Sequence, residues 1–484
     1  MTTGRHLYRF RSASALLDQF HELDRQEIYF SSASEQNDPM EGYRDIVWKG
    51  DSIAWRNLFR HYGRLLAIAT PLVLIDDHPI DAALHLMGAH RFDIHPPTPM
   101  LRQGADQAAA AFVAKTPVVR VIEALALRSD PIRREELTFL LKSLHLHALA
   151  AVSREPMCGL TEAAEFRTWL EQLEAEATAT APQLDDVLRS STPGEAPLYG
   201  FAIRVARQIA TLSAMETDSA PPSPLTFLML EAPEAYVEHL HTVLYPPAYS
   251  ACFVEDPGDA AMWSGYADSH RGLCLKFRTR PCGDRPGLDL ERVVGWSGHR
   301  GSEPKVKRNY VPMKFDPIDY VEAFPEVEFF TAFGDAPVTT LRRDWHFDGE
   351  TRSEIAASFD DEAAWRKAHW ERFEILNLQK TRHWRHEREL RLVLASSLSD
   401  LAPLEARKAT YRFEDLEGVI FGMRTPESDV VKTLAILRAK CLGANRKTFE
   451  LYQARYDRDG AAMAFDRLSL FERAICSPGM PKDL

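Results

Sequence analysis

The sequence predicts an α+β fold in which one domain is assembled from both ends of the chain and interrupted by a mostly α-helical insertion. Three observations carry this reading. Strand-like runs occur near the start, at "LYRF" and "IYFSS", and return only from about Tyr249. Between about Ser52 and Val243 the texture is rich in Ala and Leu with helical spacing, as in "REELTFLLKSLHLHALAAVSR". The length of 484 residues suits two or three domains of roughly 100–200 residues each. The expected division is 1–50 for the N-terminal part of the α+β domain, 51–245 for the helical insertion and 246–484 for the C-terminal part.

Taken in order, the first elements are a strand at His6–Phe10, a helix at Ser14–Asp24 and a strand at Glu27–Ser31, followed by the polar loop "SEQNDPMEG". The helical middle has Pro- and Ser-rich breaks at "ATATAPQLDDVLRSSTPGEAP" and "DSAPPSPLTF", which read as hinges. Two β-rich runs, Tyr249–Val254 and Gly272–Phe277, then flank a short helix-like piece. "NYVPMKFDPIDYVE" supplies a further strand or two, and a long amphipathic helix is expected over Ala363–Thr381. The remainder, "RHERELRLVLAS", "YRFEDLEGVIFGM", "DVVKTLAILRAKCL" and "KTFELYQARYD", reads strand, strand, helix, strand.

Composition narrows the function classes. The formal net charge of −12 offers no chain-wide basic field for nucleic acid or an anionic membrane, although a local patch stays open. The six cysteines are scattered without a CxxC pair, as expected of reduced thiols in a cytoplasmic protein. No run of about 18 apolar residues suggests a membrane span, so no membrane partner is expected. GxxxxGK[ST], GxGxxG after a strand and GxSxG are all missing, and the His pairs at 145/147, 239/241 and 383/386 lack a third ligand at metal spacing. No metal site is expected. "EPKVKRNY" is a small basic cluster that reads as a solvated loop.

Two segments concentrate chemistry. In "HERELRLVL", Glu387 and Glu389 stand at i and i+2 at a strand entrance and project to one face. Two carboxylates placed so repel each other unless cations, hydrogen bonds or a ligand offset the repulsion, and one of them then suits acid–base work. The alternative is that both face water or pair with Arg385, Arg388 and Arg391. In "MWSGYADSHRGLCLKF", helical spacing puts Trp263, Tyr266 and His270 on one face, where they would either stack on a planar ligand or serve as core anchors and a turn residue.

"LYRFRS", "IYFSSASEQNDPMEG", "MWSGYADSHRGLCLKF", "HERELRLVL" and "GVIFGM" occur in the order of the bacterial domain-of-unknown-function family 2971, which the chain resembles over roughly Leu7–Gly42 and Tyr249–Tyr456. That family supplies no activity. The opening strands and the late Glu-x-Glu also resemble the R-S-E arrangement of ADP-ribosyltransferases, with Ser-Ser-Ala where Ser-Thr-Ser is better known. This second resemblance implies an ADP-ribosyltransferase-like split β-sheet and NAD as co-substrate. Carried over by position, Arg9 would hold NAD, Ser31 or Ser32 would support the nicotinamide pocket, and the loop beginning at Asn37 would close its rim. Glu389 would be the catalytic glutamate, Glu387 would orient or deprotonate the acceptor, and Trp263 or Tyr266 would stack on a ring with His270 nearby. The implied function is transfer to a macromolecular acceptor, protein or nucleic acid, in a bacterial toxin or defence setting. An NAD glycohydrolase, a Mg²⁺ nuclease using Asp38, Glu41, Glu387 and Glu389, and a non-catalytic nucleotide sensor are the alternatives.

Overall fold

The computed structural model describes residues 5–74, 98–155, 168–179, isolated positions between 201 and 215, 227–298, 305–396, 400–460 and 462–477. The hinges expected from the Pro- and Ser-rich stretches lie largely outside the described residues. The chain forms two compact units, both discontinuous: Met1–Tyr43, Pro247–Phe324 and Ile375–Leu484 make the first, Arg44–Pro246 and Pro325–Glu374 the second.

The second unit is built on helices whose apolar residues recur at helical spacing. In Ser52–Leu74 the residues Trp55, Leu58, Phe59, Tyr62, Leu65 and Leu66 are all buried. Asp51 starts this helix by accepting the N–H groups of Ile53 and Ala54 at 3.1 and 2.9 Å. Residues 325–374 were expected with the C-terminal part, and the structure corrects this. Their aromatic residues belong to the helical unit: Phe330 meets Trp55 at 5.3 Å, and Phe329, Phe333 and Trp345 pack on one another at 4.6–5.7 Å. The parallel pairing of Glu326–Glu328 with Asp45–Val47 ties the same segment down. No helix among the described residues is long and apolar enough to cross a membrane.

The first unit is α+β, and its elements are numbered here in chain order. The strands are β1 (His6–Arg11), β2 (Glu27–Tyr29), β3 (Ala248–Val254), β4 (Leu273–Arg278), β5 (Arg280–Cys282), β6 (Arg285–Ser297), β7 (Lys305–Lys314), β8 (Asp316–Pro317), β9 (Asp319–Val321), β10 (Gln379–Thr381), β11 (Glu389–Ala395), β12 (Lys408–Tyr411), β13 (Leu416–Phe421), β14 (Glu450–Asp457) and β15 (Ala462–Arg467). The helices longer than one turn are α1 (Ala260–Tyr266), α2 (Glu427–Gly443) and α3 (Ser469–Cys476). An eight-stranded sheet runs in the order β15-β14-β13-β4-β1-β3-β11-β8, so the N-terminal strand lies in the middle of strands from the far end of the chain. A second sheet runs β2-β12-β6-β5, with β7 also on β6. The core between the sheets takes Leu7, Phe253, Leu275, Phe277 and Leu392 from the first and Ile28, Leu288, Leu290 and Tyr411 from the second.

Several expected elements shift. The helix expected at Ser14–Asp24 is a π-turn at Ala15–Gln19 and one helical turn at Glu22–Arg25, separated by His21 at φ 52°. The helix expected at Ala363–Thr381 ends at Leu376 and gives way to β10. "KVKRNY" is part of a long strand paired with β6, not a loop.

Candidate active site

The site begins with a break in strand pairing. β1 pairs with β4 over all six of its residues but meets β3 only at Tyr8 opposite Val254. Four residues back along β3, Ser250 is bridged instead to Ser31, with both backbone N–H···O distances 2.9 Å. Between these two bridges the strands separate, and a cavity of about 130 Å³ opens, lined by Arg9 and Phe10 of β1, Cys252 of β3, Ser31, Tyr266 and Glu389 among others. Strand alternation puts Arg9 on the face of Leu7, whereas Glu389, opposite Val254, shares the face of Tyr8. The cavity therefore runs through the opening and touches both faces of the sheet.

On one wall stands Arg9, 5 % exposed. Its Nη2 donates to the Tyr29 carbonyl at 2.8 Å, and its guanidinium lies 5.5 Å from the Phe253 ring centre. Its Nη1 is buried with no hydrogen-bond partner. Burial, helped by Arg11, lowers its pKa to about 10. A buried cation with a spare donor is costly unless something anionic completes it.

Glu387 and Glu389 also line the cavity, and behind them Lys380, Arg391 and Glu41 complete a network of five charges. Lys380 of β10 bridges Glu387 and Glu389, 2.7 Å from each. Arg391 of β11 takes Glu389 through Nε at 2.6 Å and grips Glu41 with two nitrogens at 2.6 and 2.7 Å. Lys380 lies 4.0 Å from Glu41 as well. Tyr266, at the end of α1, donates its hydroxyl to Glu387 at 2.5 Å. Burial alone would raise the Glu389 pKa, but Arg391 and Lys380 outweigh it and bring it down to about 2. Burial and the neighbouring Glu387 push Tyr266 up, and burial and Glu389 push the Cys252 thiol up. Three carboxylates against two cations leave this network with one formal negative charge.

Outside Glu387 lies a wider depression of about 540 Å³, which shares Val254, Met262 and Glu387 with the cavity. The inner cavity is the size of one aromatic ring, since a void of about 150 Å³ admits benzene. The outer depression falls within the range of about 300–1,000 Å³ typical of small-molecule sites.

No protein-family model matches the chain, and no curated protein or solved structure matches it either. The arrangement therefore has to be read from its own residues.

Arg9, Ser31, Asn37, Tyr266, Glu387 and Glu389 are brought together around the cavity. Arg9 and Glu389 form no ion pair with each other. Three other candidates stand elsewhere. Trp263 is fully buried, packs edge-on to Phe10 at 5.0 Å and donates its indole N–H to the Pro257 carbonyl, so it anchors α1 and does not face the cavity. Helix α1 stops at Tyr266, which takes His270 off the shared face expected for it. His270 lies in a turn with Asp268 and Ser269, all three at positive φ, and stacks on Trp263 at 6.5 Å. That turn leads into Gly272, where a Cβ would sit 2.2 Å from the Arg11 carbonyl oxygen, so β4 can start beside β1 only with glycine there. Ser32 caps a single turn at Ala33–Glu35 in a reciprocal box with Glu35.

The residues that sequence reading missed are Lys380, Gln36 and Ser250, together with the placement of Cys252; the pairing with Arg391, one of the alternatives for the two glutamates, is found at Glu389, whereas Arg385 and Arg388 pair with neither. Gln36 donates to Ser250 Oγ at 2.7 Å and lines the cavity. Of the four carboxylates in the nuclease alternative, Glu41, Glu387 and Glu389 are held by Lys380 or Arg391, and Asp38 is engaged by the Met40 N–H at 2.8 Å. Among the described residues no group of three or more His, Cys, Asp or Glu side chains converges to hold a metal ion.

Proposed function

We propose that the first unit is an ADP-ribosyltransferase-like enzyme that uses NAD as co-substrate and transfers ADP-ribose to a macromolecular acceptor. One observation carries the reading: a buried arginine with a spare N–H and a net-negative carboxylate wall face the same ring-sized cavity, in an opening where β1 and β3 part. Cleavage of the nicotinamide–ribose bond builds positive charge on the ribose, and a fixed negative charge beside it stabilises the transition state more than the ground state. The guanidinium of Arg9 suits the pyrophosphate, and its unpartnered nitrogen gives that anion a donor. The inner cavity suits the nicotinamide ring.

The two glutamates differ in role. Glu389 is locked between Arg391 and Lys380, so it supplies a permanent charge and does not reach for a ribose hydroxyl. Glu387 stands between the inner cavity and the outer depression, and an ionised carboxylate has about four lone-pair sites, of which Tyr266 and Lys380 use two. It is placed to take the proton of an acceptor arriving from outside. If water is that acceptor, the same geometry gives NAD hydrolysis.

The test is incubation with NAD labelled on its adenylate half, with and without cell lysate, following nicotinamide release and labelled product. Tyr266→Phe frees one Glu387 oxygen without removing charge, and should lower kcat by about tenfold while changing KM little. No nicotinamide release in either condition would remove the transferase and the hydrolase together.

A further inference from the structure

The turn before Glu389 presents a surface that the cavity itself does not use. Arg382–Glu387 form a short 3-10 helix, and Arg388 leaves it at φ 46°. Along "RHWRHER" the side chains of Arg385, His386 and Arg388 are exposed, while Trp384 is half-buried with its ring 6.2 Å from His386 and near-parallel at 26°. Lys380 Nζ lies 5.5 Å from the Trp384 ring centre, so the ring is backed by the charged network. Arg382 is paired with Glu322 at 2.8 Å, but neither Arg385 nor Arg388 makes an ion pair with any described residue.

Arg385, His386 and Arg388 form one lip of the outer depression, and Asp256 and Asp259 lie on another. Each aspartate accepts a backbone N–H through Oδ1 at 2.8 Å, from Gly258 and Ala261 respectively. A purely anionic partner would suit the arginines and be repelled by the aspartates. A nucleotide in a single strand suits both, since its phosphate matches guanidinium and the exocyclic amino group of an unpaired base donates to a carboxylate. His386, which lines the depression and stacks on Trp384, adds a platform for a base.

We propose that this depression docks single-stranded nucleic acid, with phosphate at Arg385 and Arg388 and a base over His386, its amino group toward Asp256 and Asp259. As a statement about the acceptor, this rests on the transferase reading above; as a statement about binding, it does not. In the transfer step the base nitrogen forms a bond to ribose C1′ as the C1′–nicotinamide bond breaks. Nicotinamide leaves with that electron pair, and the nitrogen's proton passes to Glu387.

The experiment is fluorescence anisotropy of the full chain with labelled single strands of DNA and RNA of about 12 nucleotides, and with the matching duplex, from about 50 to about 200 mM salt. Single strands should bind in preference to duplex and weaken about sevenfold across that range, as two phosphate contacts imply. Arg385→Gln with Arg388→Asn, chosen because Asn tolerates positive φ, should weaken binding about tenfold at low salt. Lys447→Ala, an exposed change on a different turn, should leave it unchanged. Failure to bind single strands at low salt, preference for duplex, or wild-type affinity in the double variant would overturn the proposal. NAD consumption is measured separately. A protein that releases nicotinamide but ignores oligonucleotides loses the nucleic-acid acceptor and keeps the transferase reading. One that binds single strands through Arg385 and Arg388 but never consumes NAD keeps the docking surface and loses the transferase.

Discussion

The two walls of the cavity treat buried charge in opposite ways. Arg9 makes no ion pair, feels Glu22 only at a distance because that carboxylate is paired with Arg11, and leaves one nitrogen without a partner, whereas Glu41, Glu387, Glu389, Lys380 and Arg391 satisfy one another. Burying a charge costs several kcal/mol, on the order of what a small domain has in total, unless partners repay it. The network repays that cost within the fold. Arg9 does so only in part, through one carbonyl and one ring face. One wall is thus complete before any ligand arrives, and the other is completed by a ligand. Substitutions on the network should register first as lost stability, and substitution of Arg9 as lost affinity.

The largest effect is expected at Arg391. It is 1 % exposed and serves Glu41, Glu389 and the Asn377 carbonyl at once. Arg391→Leu leaves two buried carboxylates short of their cation and should cost about 3–5 kcal/mol in chemical denaturation. A loss below about 1 kcal/mol would mean that the network is not closed as described, and the contrast between the walls would collapse.

A smaller effect, sharpened by its pH dependence, belongs to Glu389. Its folded pKa of about 2 lies below the ordinary 4.5, so ionised Glu389 contributes stability that is complete above the unfolded value and is lost as pH falls from about 4.5 toward 2. Glu389→Gln keeps the shape but not the charge, while Arg391 still holds Glu41 and Lys380 still holds Glu387. It should cost about 1–3 kcal/mol at neutral pH and flatten that part of the acid-unfolding profile. An unchanged profile would show that Glu389 is not the group being titrated.

How much of this was legible in the sequence depends on distance along the chain. The fold class and the joining of Leu7–Arg11 to C-terminal strands follow from local periodicity and from where strand texture stops and restarts. Glu387 and Glu389 were visible because their spacing is local. Lys380 was hidden because "KAHWERFEILNLQKT" continues to look helical, although the helix ends at Leu376 and the lysine stands on a strand. His270 was misplaced for the same reason in reverse: a shared helical face was extended past Tyr266, where the chain turns through three residues of positive φ, while Trp263 takes the core-anchor place that the sequence left open beside a ligand-stacking one. The transfer of residues 325–374 to the helical unit rests on aromatic contacts with partners such as Trp55, far away in sequence. The opening between β1 and β3 had no local signal, because a missing ladder is a property of two strands more than two hundred residues apart.

The smallest stability effect, and the most telling one, is expected at Arg9. Arg9→Met keeps much of the side chain's length and apolar stem, loses the 2.8 Å bond to the Tyr29 carbonyl and the contact with Phe253, and relieves the burial of an incompletely paired charge. These terms oppose one another, so stability should change by no more than about 1 kcal/mol, against about 3–5 kcal/mol at Arg391. NAD affinity should nevertheless fall about tenfold or more, since a charge-assisted bond to phosphate would be lost without replacement. Calorimetric titration with NAD beside denaturation of the same preparation separates the two quantities. If Arg9→Met destabilises the fold as severely as Arg391→Leu, then Arg9 is a structural charge completed within the protein, and the wall read as open to a ligand is closed.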